Sequence, residues 1–256
     1  MTLGHIPLSV YGAVLDEKTG AVSSVAVTVL IPTSELADSV LLSSLGREDI
    51  AAMFAPARRV AYSHGQTIFS EGDPGEAVIL IESGRVEVSI TSLSGRKSII
   101  EHMGPGEILG EIAALDGEGR SATVTAATNV TGLVLPRAHL LNFISERPEV
   151  VRAVIQELCK KVRNASDMFA NRSVVEGGPR LAKALLRLFD KWGEAEGDIL
   201  VLRQPFSQTE IGDYGGLARE NVNRYIKTWV THSILDHREG ALVLLDRARL
   251  EELSET

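Results

Sequence analysis

Apolar and polar positions along the first half of the chain follow the short period of β-strands. The segment Val86–Ile90 alternates apolar and polar residues, as a strand with one buried face does. Turn sequences rich in glycine and proline recur between such segments, for example at 71–75 and 104–106. This regular punctuation predicts a closed β-roll over residues 39–145.

The spacing changes to that of a helix after Pro148. Apolar residues then recur at steps of four and three, which predicts a heptad seam over about three repeats. Such a seam pairs with a second copy of itself, so we expect residues 146–176 to form the dimerisation helix of a homodimer. A helix buried within one subunit is the alternative that the spacing leaves open. The seam positions are Val151, Ile155, Leu158, Val162, Ala165 and Phe169. The basic residues off the seam, which favour a zipper of two helices, are Arg152, Lys160, Lys161 and Arg163.

The last part of the chain predicts a separate, mostly helical domain over residues 177–256. Ser207 and Glu210 have the spacing of a capping box, in which each side chain bonds the backbone N–H of the other residue. A short helix follows and ends near Gly215–Gly216, and a second helix starts soon afterwards, which predicts a helix-turn-helix. Two strands around Glu239–Gly240 then predict a wing.

Polar side chains on the second of these helices are suited to reading DNA. An arginine at the start of such a helix bonds guanine O6 and N7 bidentately, and a glutamate accepts from cytosine N4. A helical hairpin with a charged outer face and no DNA partner is the alternative. The residues expected to contact DNA are Ser207, Arg219, Glu220, Asn223 and Arg224.

Composition narrows the classes of function. With 256 residues, 44% apolar and 23% charged, the chain has the composition of a globular protein of about two domains. Its single cysteine, Cys159, excludes an intramolecular disulfide and a cysteine-ligated iron–sulfur cluster. No run approaches the roughly 18 apolar residues of a membrane span, so we expect a cytoplasmic protein without a membrane partner. No nucleophile–base pair or set of metal ligands stands out, so we expect neither an enzyme nor a resident cofactor or metal.

The formal charge of −8 argues at first against DNA, because neutralising phosphates needs lysine and arginine. The distribution of charge changes this interpretation: residues 1–143 carry −7, residues 144–175 carry +2 and residues 176–256 carry −3. Most of the acid therefore lies outside the predicted DNA-binding domain, although that domain is not basic either. We expect weak non-specific binding, with affinity that rests on a few base contacts.

A glycine-rich segment, Gly110–Val124, carries the chemistry of a phosphate site. It contains one acid near its start, Glu111, and then Arg120 beside Ser121. A guanidinium binds phosphate bidentately, a hydroxyl adds a donor, and a carboxylate accepts a hydrogen bond from a ribose hydroxyl. A purely structural ion pair between Glu111 and Arg120 is the alternative.

These motifs together resemble the cyclic-AMP receptor protein/FNR superfamily of bacterial transcription regulators. The resemblance covers about residues 39–250, in order. It implies an α+β fold with an N-terminal β-roll of the cyclic-nucleotide-binding type, a long dimerisation helix and a C-terminal winged helix-turn-helix. It rests on the glycine-rich segment and on the shorter motifs Gly65-x-x-Ile68-Phe69-x-x-Gly72-Asp73, Ile81-x-x-Gly84-x-Val86, Glu210-Ile211-Gly212 and Arg219-Glu220-x-Val222-x-Arg224.

The resemblance implies a cyclic nucleotide as ligand. Glu111 would bind the ribose hydroxyl, and Arg120 and Ser121 would bind the cyclic phosphate. Backbone groups of Gly110 and Ile112 would complete the site.

The purine contacts leave the choice of base open. Alignment with the family puts Ala165 and Ser166 where two hydroxyl residues contact the base. Ser166, helped by Asn164, would suit guanine, so cyclic AMP and cyclic GMP both remain candidates. The family often has Ser or Thr where this chain has Ala218, which removes a helix cap worth about 1 kcal/mol.

We therefore expect a homodimeric, cyclic-nucleotide-responsive regulator of transcription that binds a palindromic site in double-stranded DNA and contacts RNA polymerase. One alternative is a regulator of the same family that is independent of ligand or answers another ligand. The other is a nucleotide-binding module without DNA activity. Residues 1–38 form an N-terminal extension without a predicted role, in which residues 25–31 resemble a strand.

Overall fold

A computed structural model describes residues 8–15, 22–29, 42, 45–92, 95, 97–172 and 176–255. The chain divides into two compact units. The first comprises residues 1–90 and 101–163, and the second comprises residues 91–100 and 164–256.

The N-terminal extension contains a β-hairpin. Strand β1 (Leu8–Leu15) pairs antiparallel with β2 (Val22–Val29), in a register that runs from Leu8 opposite Val29 to Leu15 opposite Val22. The strand-like piece predicted at 25–31 is therefore the end of the second strand, and its last two residues lie outside the described residues.

The first unit is built mainly from β-strands, with short helices before, between and after them and one long helix that starts at Pro148. Its strands are β3 (Arg58–Tyr62), β4 (Thr67–Phe69), β5 (Ala77–Ser83), β6 (Val86–Thr91), β7 (Lys97–Met103), β8 (Ile108–Leu109), β9 (Thr123–Ala126) and β10 (Val130–Pro136). Its helices are α1 (Arg47–Phe54), α2 (Glu111–Asp116), α3 (Arg137–Ser145) and α4 (Pro148–Arg172). The strands form two sheets, in the orders β3-β10-β5-β8 and β4-β9-β6-β7, and both β7 and α4 run from one unit into the other.

Burial along strand β6 differs from the alternation that the sequence predicts. Val86 is buried as expected, but Glu87 and Ser89 are only 7% and 3% exposed. Both faces of this strand are therefore covered, because the roll encloses its polar positions as well as its apolar ones.

The second unit contains the predicted helix-turn-helix and wing. Its helices are α5 (Gly177–Trp192), α6 (Gln208–Gly215), α7 (Arg219–Thr231) and α8 (Arg247–Glu255). Its strands are β11 (Glu194–Glu196), β12 (Ile199–Leu202), β13 (Leu235–Arg238) and β14 (Ala241–Leu244), in the sheet order β11-β12-β14-β13. Gly177 and Gly178 form the first turn of α5.

Helix α4 presents part of the predicted seam to solvent. Val151, Ile155 and Val162 are 38%, 54% and 66% exposed. Leu158 is half-buried and lines a partly open pocket beside α2, so part of its side chain faces its own unit. The side chain of Phe169 lies outside the described residues. Within the described residues, no helix combines the length and apolar character needed to span a membrane.

Candidate functional sites

The glycine-rich segment begins with a tight turn between β8 and α2. Gly110 has φ +78°, in the left-handed region that glycine tolerates best, and immediately precedes α2. A Cβ at this position would overlap Nη1 of Arg120. Glycine is therefore required here both by the turn and by the arginine packed against it.

Arg120 is held inside this turn by backbone carbonyls. Its Nη1 donates to the carbonyl oxygen of Gly110 at 2.9 Å, and its Nη2 donates to that of Ala77 at 2.8 Å. The guanidinium lies 4.3 Å from the ring centroid of Phe69, and the residue is only 7% exposed. Burial lowers the pKa of this guanidinium, and the negative charges of Asp73 and Glu111 oppose that effect.

The backbone of Arg120 is fixed by two hydrogen bonds, and the third nitrogen of its guanidinium, Nε, remains available as a donor. Its N–H donates to the carbonyl of Asp73, and its carbonyl accepts from the N–H of Gly72, both at 2.8 Å. Within the described part of the chain, the buried Nε has no hydrogen-bond partner. A buried unpaired donor is costly, and an anion would satisfy it. Ser121, the next residue in the sequence, is exposed.

Glu111 pairs with a residue that the sequence did not assign to the site. Its Oε1 lies 2.9 Å from Nζ of Lys161 on α4, and the two side chains are 15% and 20% exposed. The predicted alternative paired Glu111 with Arg120, but Arg120 binds carbonyl oxygens and the acid binds this lysine. The sequence offered one signal for Lys161, its position off the heptad seam.

Electrostatics favour the charged form of Lys161. Burial alone would lower the pKa of its ammonium. The carboxylates of Glu111, Glu101 and Glu157 outweigh burial, so its pKa is raised above the ordinary value of 10.5. The ammonium is therefore protonated at neutral pH and neutralises part of an acid-rich region beside α2.

The remaining residues predicted to bind ligand lie at different places. Ile112 on α2 is 36% exposed. Asn164 and Ser166 are exposed residues on the part of α4 that belongs to the second unit, as is Ala165. The first unit alone thus brings together Gly110, Glu111 and the arginine–serine pair at 120–121.

The start of the helix-turn-helix has the predicted capping box. The hydroxyl of Ser207 accepts from the N–H of Glu210 at 3.1 Å, and the Glu210 carboxylate accepts from the N–H of Ser207 at 2.7 Å. Helix α6 ends at Gly216, whose φ of +67° turns the chain towards α7. Ala218 precedes α7 without a side-chain cap, as expected from the missing hydroxyl.

Helix α7 separates a core face from an exposed polar face. Val222, Ile226 and Trp229 are buried in the core of the second unit. The predicted DNA contacts occupy the opposite side: Arg219, Glu220 and Arg224 are exposed, and Asn223 is half-buried with Gln208 Nε2 3.5 Å from its Oδ1.

Comparisons with known proteins agree with this geometry. Residues 59–147 match the cyclic nucleotide-binding domain family, and residues 179–253 match the Crp-like helix-turn-helix domain family. The chain is 28% identical over 201 residues to a CRP-like cAMP-activated global transcriptional regulator of Mycobacterium tuberculosis, covering 78% of this chain and 90% of the relative. It is 29% identical over 216 residues to the cyclic AMP receptor protein of Thermus thermophilus, covering 84% of this chain and 97% of the relative.

A solved structure has the same fold. FixK2 from Bradyrhizobium japonicum superimposes with a TM-score of 0.69 and 25% identity, over 77% of this chain and 96% of that one. The predicted α+β architecture, with a β-roll, a long helix and a C-terminal helix-turn-helix, is confirmed. The chain belongs to the cyclic-AMP receptor protein/FNR superfamily, whose members are transcription regulators and not enzymes.

Proposed function

We propose that this protein is a homodimeric regulator in which a cyclic nucleotide, bound at the glycine-rich segment, favours sequence-specific binding of a palindromic DNA site. The names of the relatives from Mycobacterium tuberculosis and Thermus thermophilus support cyclic AMP, and cyclic GMP is the second candidate ligand. DNA as target makes the cytoplasm the place of action, and activation of transcription would require contact with RNA polymerase.

The ligand is held mainly through its phosphate and ribose. Arg120 supplies a buried guanidinium with an unpaired Nε, and Ser121 adds an exposed hydroxyl. A cyclic phosphate carries one negative charge, which such a guanidinium binds bidentately after giving up one carbonyl bond. Glu111 accepts from the ribose hydroxyl, and the backbones of Gly110 and Ile112 border the same site.

Ligand binding acts on the dimerisation helix through Lys161. Its ammonium forms an ion pair with Oε1 of Glu111, so a ribose hydroxyl that binds the same oxygen competes with the lysine. The lysine is part of α4, so its displacement would remove a contact that ties that helix to α2. Asn164 and Ser166, one turn further along α4, would contact the base.

The DNA contacts come from α7 and from the start of α6. Arg219 and Glu220 read base edges, with Asn223 and Arg224 further along the helix, and Ser207 binds a phosphate. Two-fold symmetry of the dimer then spaces the two recognition helices by about 34 Å, one turn of DNA.

The observation that carries this proposal is the buried Arg120 with its unpaired Nε, next to an acid that is tied to α4. Calorimetric titration of cyclic AMP and cyclic GMP into the wild type and into Arg120→Leu tests it. We expect binding of at least one nucleotide to the wild type and none to the variant. Normal affinity in Arg120→Leu would refute the site.

A second candidate is a ligand-independent regulator of the same family. The two carbonyl bonds of Arg120 and the ion pair of Glu111 favour it, because these side chains are already held in place without a ligand. This candidate predicts full DNA affinity in the absence of nucleotide and no heat in either titration.

A further inference from the structure

A tyrosine on α7 contacts one of the predicted DNA-reading side chains. The guanidinium of Arg224 lies 5.2 Å from the ring centroid of Tyr225, within the range of a cation–π contact. The Tyr225 ring is half-buried and also packs on Trp229, with centroids 5.9 Å apart and an interplanar angle of 31°. Tyr225 therefore connects an exposed arginine to the core of the second unit.

The same ring lies against the first turn of α5. A Cβ added to Gly177 would come within 3.3 Å of the Tyr225 ring and 3.1 Å of Leu217, both tighter than most real contacts. A Cβ added to Gly178 would come within 3.4 Å of the same ring. The two glycines thus leave room for the tyrosine, and α5 begins only a few residues after α4 ends at Arg172.

Arg219 lacks this support. Within the described residues it has neither a ring contact nor an ion pair, and it is exposed. A free arginine loses rotamer freedom when it binds a base, whereas a stacked one is already restricted. The guanidinium of Arg224 is therefore more restricted before DNA binding than that of Arg219. Arg219 can serve as an internal control.

We propose that Tyr225 is a positioning residue for DNA reading: it holds the Arg224 guanidinium in place and links it to the first turn of α5. This inference rests on the proposed function, because it requires α7 to read DNA. It adds that Arg224 is coupled to the first turn of α5 through the ring, whereas Arg219 has no such ring contact within the described residues.

Binding-site selection and affinity measurements on Tyr225 variants test the proposal. Arg224→Ala first identifies the base pair that this arginine reads. We expect Tyr225→Leu to weaken binding of the selected duplex about 2- to 5-fold and to relax preference at that base pair only. Tyr225→Phe, which keeps the ring, should behave as the wild type, and binding of random DNA should not change.

A double variant shows whether the two residues act together. If Tyr225 acts through Arg224, then Tyr225→Leu combined with Arg224→Ala binds no more weakly than Arg224→Ala alone. Combined with Arg219→Ala, the effect of Tyr225→Leu should persist in full.

Gly177→Ala tests the contact from the other side and does not remove the ring. It should relax the preference at the same base pair as Tyr225→Leu, but by less, because the new methyl group shifts the tyrosine by a few tenths of an ångström. Gly215→Ala is the matched control, since its Cβ would meet neighbours only at 3.5 Å or more. Thermal melting identifies any variant that fails to fold. If Tyr225→Leu fails to fold, the comparison of Gly177→Ala with Gly215→Ala tests the contact instead.

Unchanged preference in both Tyr225→Leu and Gly177→Ala would overturn the inference, as would an equal loss at every base pair. A wild-type protein that selects no sequence would instead reject the proposed function itself.

Discussion

The ammonium of Lys161 lies 2.9 Å from the carboxylate of Glu111 and joins helix α4 to the start of α2. One partner belongs to the predicted ligand site and the other to the predicted dimerisation helix. A ligand that competes for the acid must therefore alter a contact made by α4. This gives the proposed response a physical starting point, because a ligand shifts a conformational equilibrium only through contacts that differ between the two states.

Substitution of Gly110 should remove ligand binding by displacing Arg120. Gly110→Ala adds a methyl group that overlaps the guanidinium and also strains a residue with φ +78°. Gly65→Ala is the matched control: φ there is +81°, its Cβ would meet nothing within 4 Å, and it makes no contact with Arg120. Both variants should lose about 1–3 kcal/mol of stability to backbone strain. Only Gly110→Ala should lose nucleotide affinity in calorimetry, and equal affinities for the two variants would contradict this.

Stability at alkaline pH should depend on Lys161. The folded-state pKa of this lysine is raised above its ordinary value of 10.5, so its charged form stabilises the fold at lower pH. That contribution is lost as pH rises through the folded-state pKa. Urea unfolding at pH 8 should show Lys161→Met to be less stable than the wild type by about 1–3 kcal/mol. The difference should shrink above pH 10.5, and a difference that grew there would be the wrong sign.

The helix-turn-helix and wing are predictable from sequence because their signals are local. Ser207 and Glu210 are three positions apart, and their capping box fixes where α6 starts. The wing turn at Glu239–Gly240 also depends on adjacent residues, and its strands β13 and β14 flank it as predicted. Gly110, which begins the ligand segment, was identified by the same kind of local pattern.

The contacts that were missed are set by tertiary structure. Lys161 and Glu111 are far apart in sequence, and a heptad pattern describes only which side of a helix is apolar. Leu158 falls on that pattern but is half-buried against a pocket of its own unit, since α4 packs on the β-roll as well as exposing a seam. The carbonyl partners of Arg120 are backbone atoms at the start of β5 and in the turn before α2, which side-chain motifs do not encode.

A charge placed on the seam of α4 should dissociate the homodimer. Val162 is 66% exposed, so Val162→Glu leaves the core of the unit intact. In a paired helix the new carboxylate would be buried without a partner, at a cost of several kcal/mol, which should weaken dimerisation about 100-fold or more. Analytical ultracentrifugation should find folded monomers. The control Gln156→Glu, exposed and off the seam, should stay dimeric, and a dimeric Val162→Glu would mean that the seam is not the interface.

Binding to random DNA should depend only weakly on salt. The C-terminal part of the chain is not strongly basic, with −3 over residues 176–256. Few phosphates are then neutralised, and the slope of log affinity against log salt should stay shallower than about −5. Fluorescence anisotropy at several salt concentrations measures it, and a slope near −10 would contradict the expectation of few phosphate contacts.

The most direct test of the account is the affinity for a selected palindromic duplex with and without cyclic nucleotide. Cyclic AMP or cyclic GMP should tighten wild-type binding by about 5- to 150-fold, the usual range of coupling between two sites. Arg120→Leu should bind with the nucleotide-free affinity throughout, while Arg58→Leu, which removes an exposed arginine of the same unit, should respond as the wild type does. Equal wild-type affinity with and without both nucleotides, or a normal response in Arg120→Leu, would contradict the claim that this site controls DNA binding.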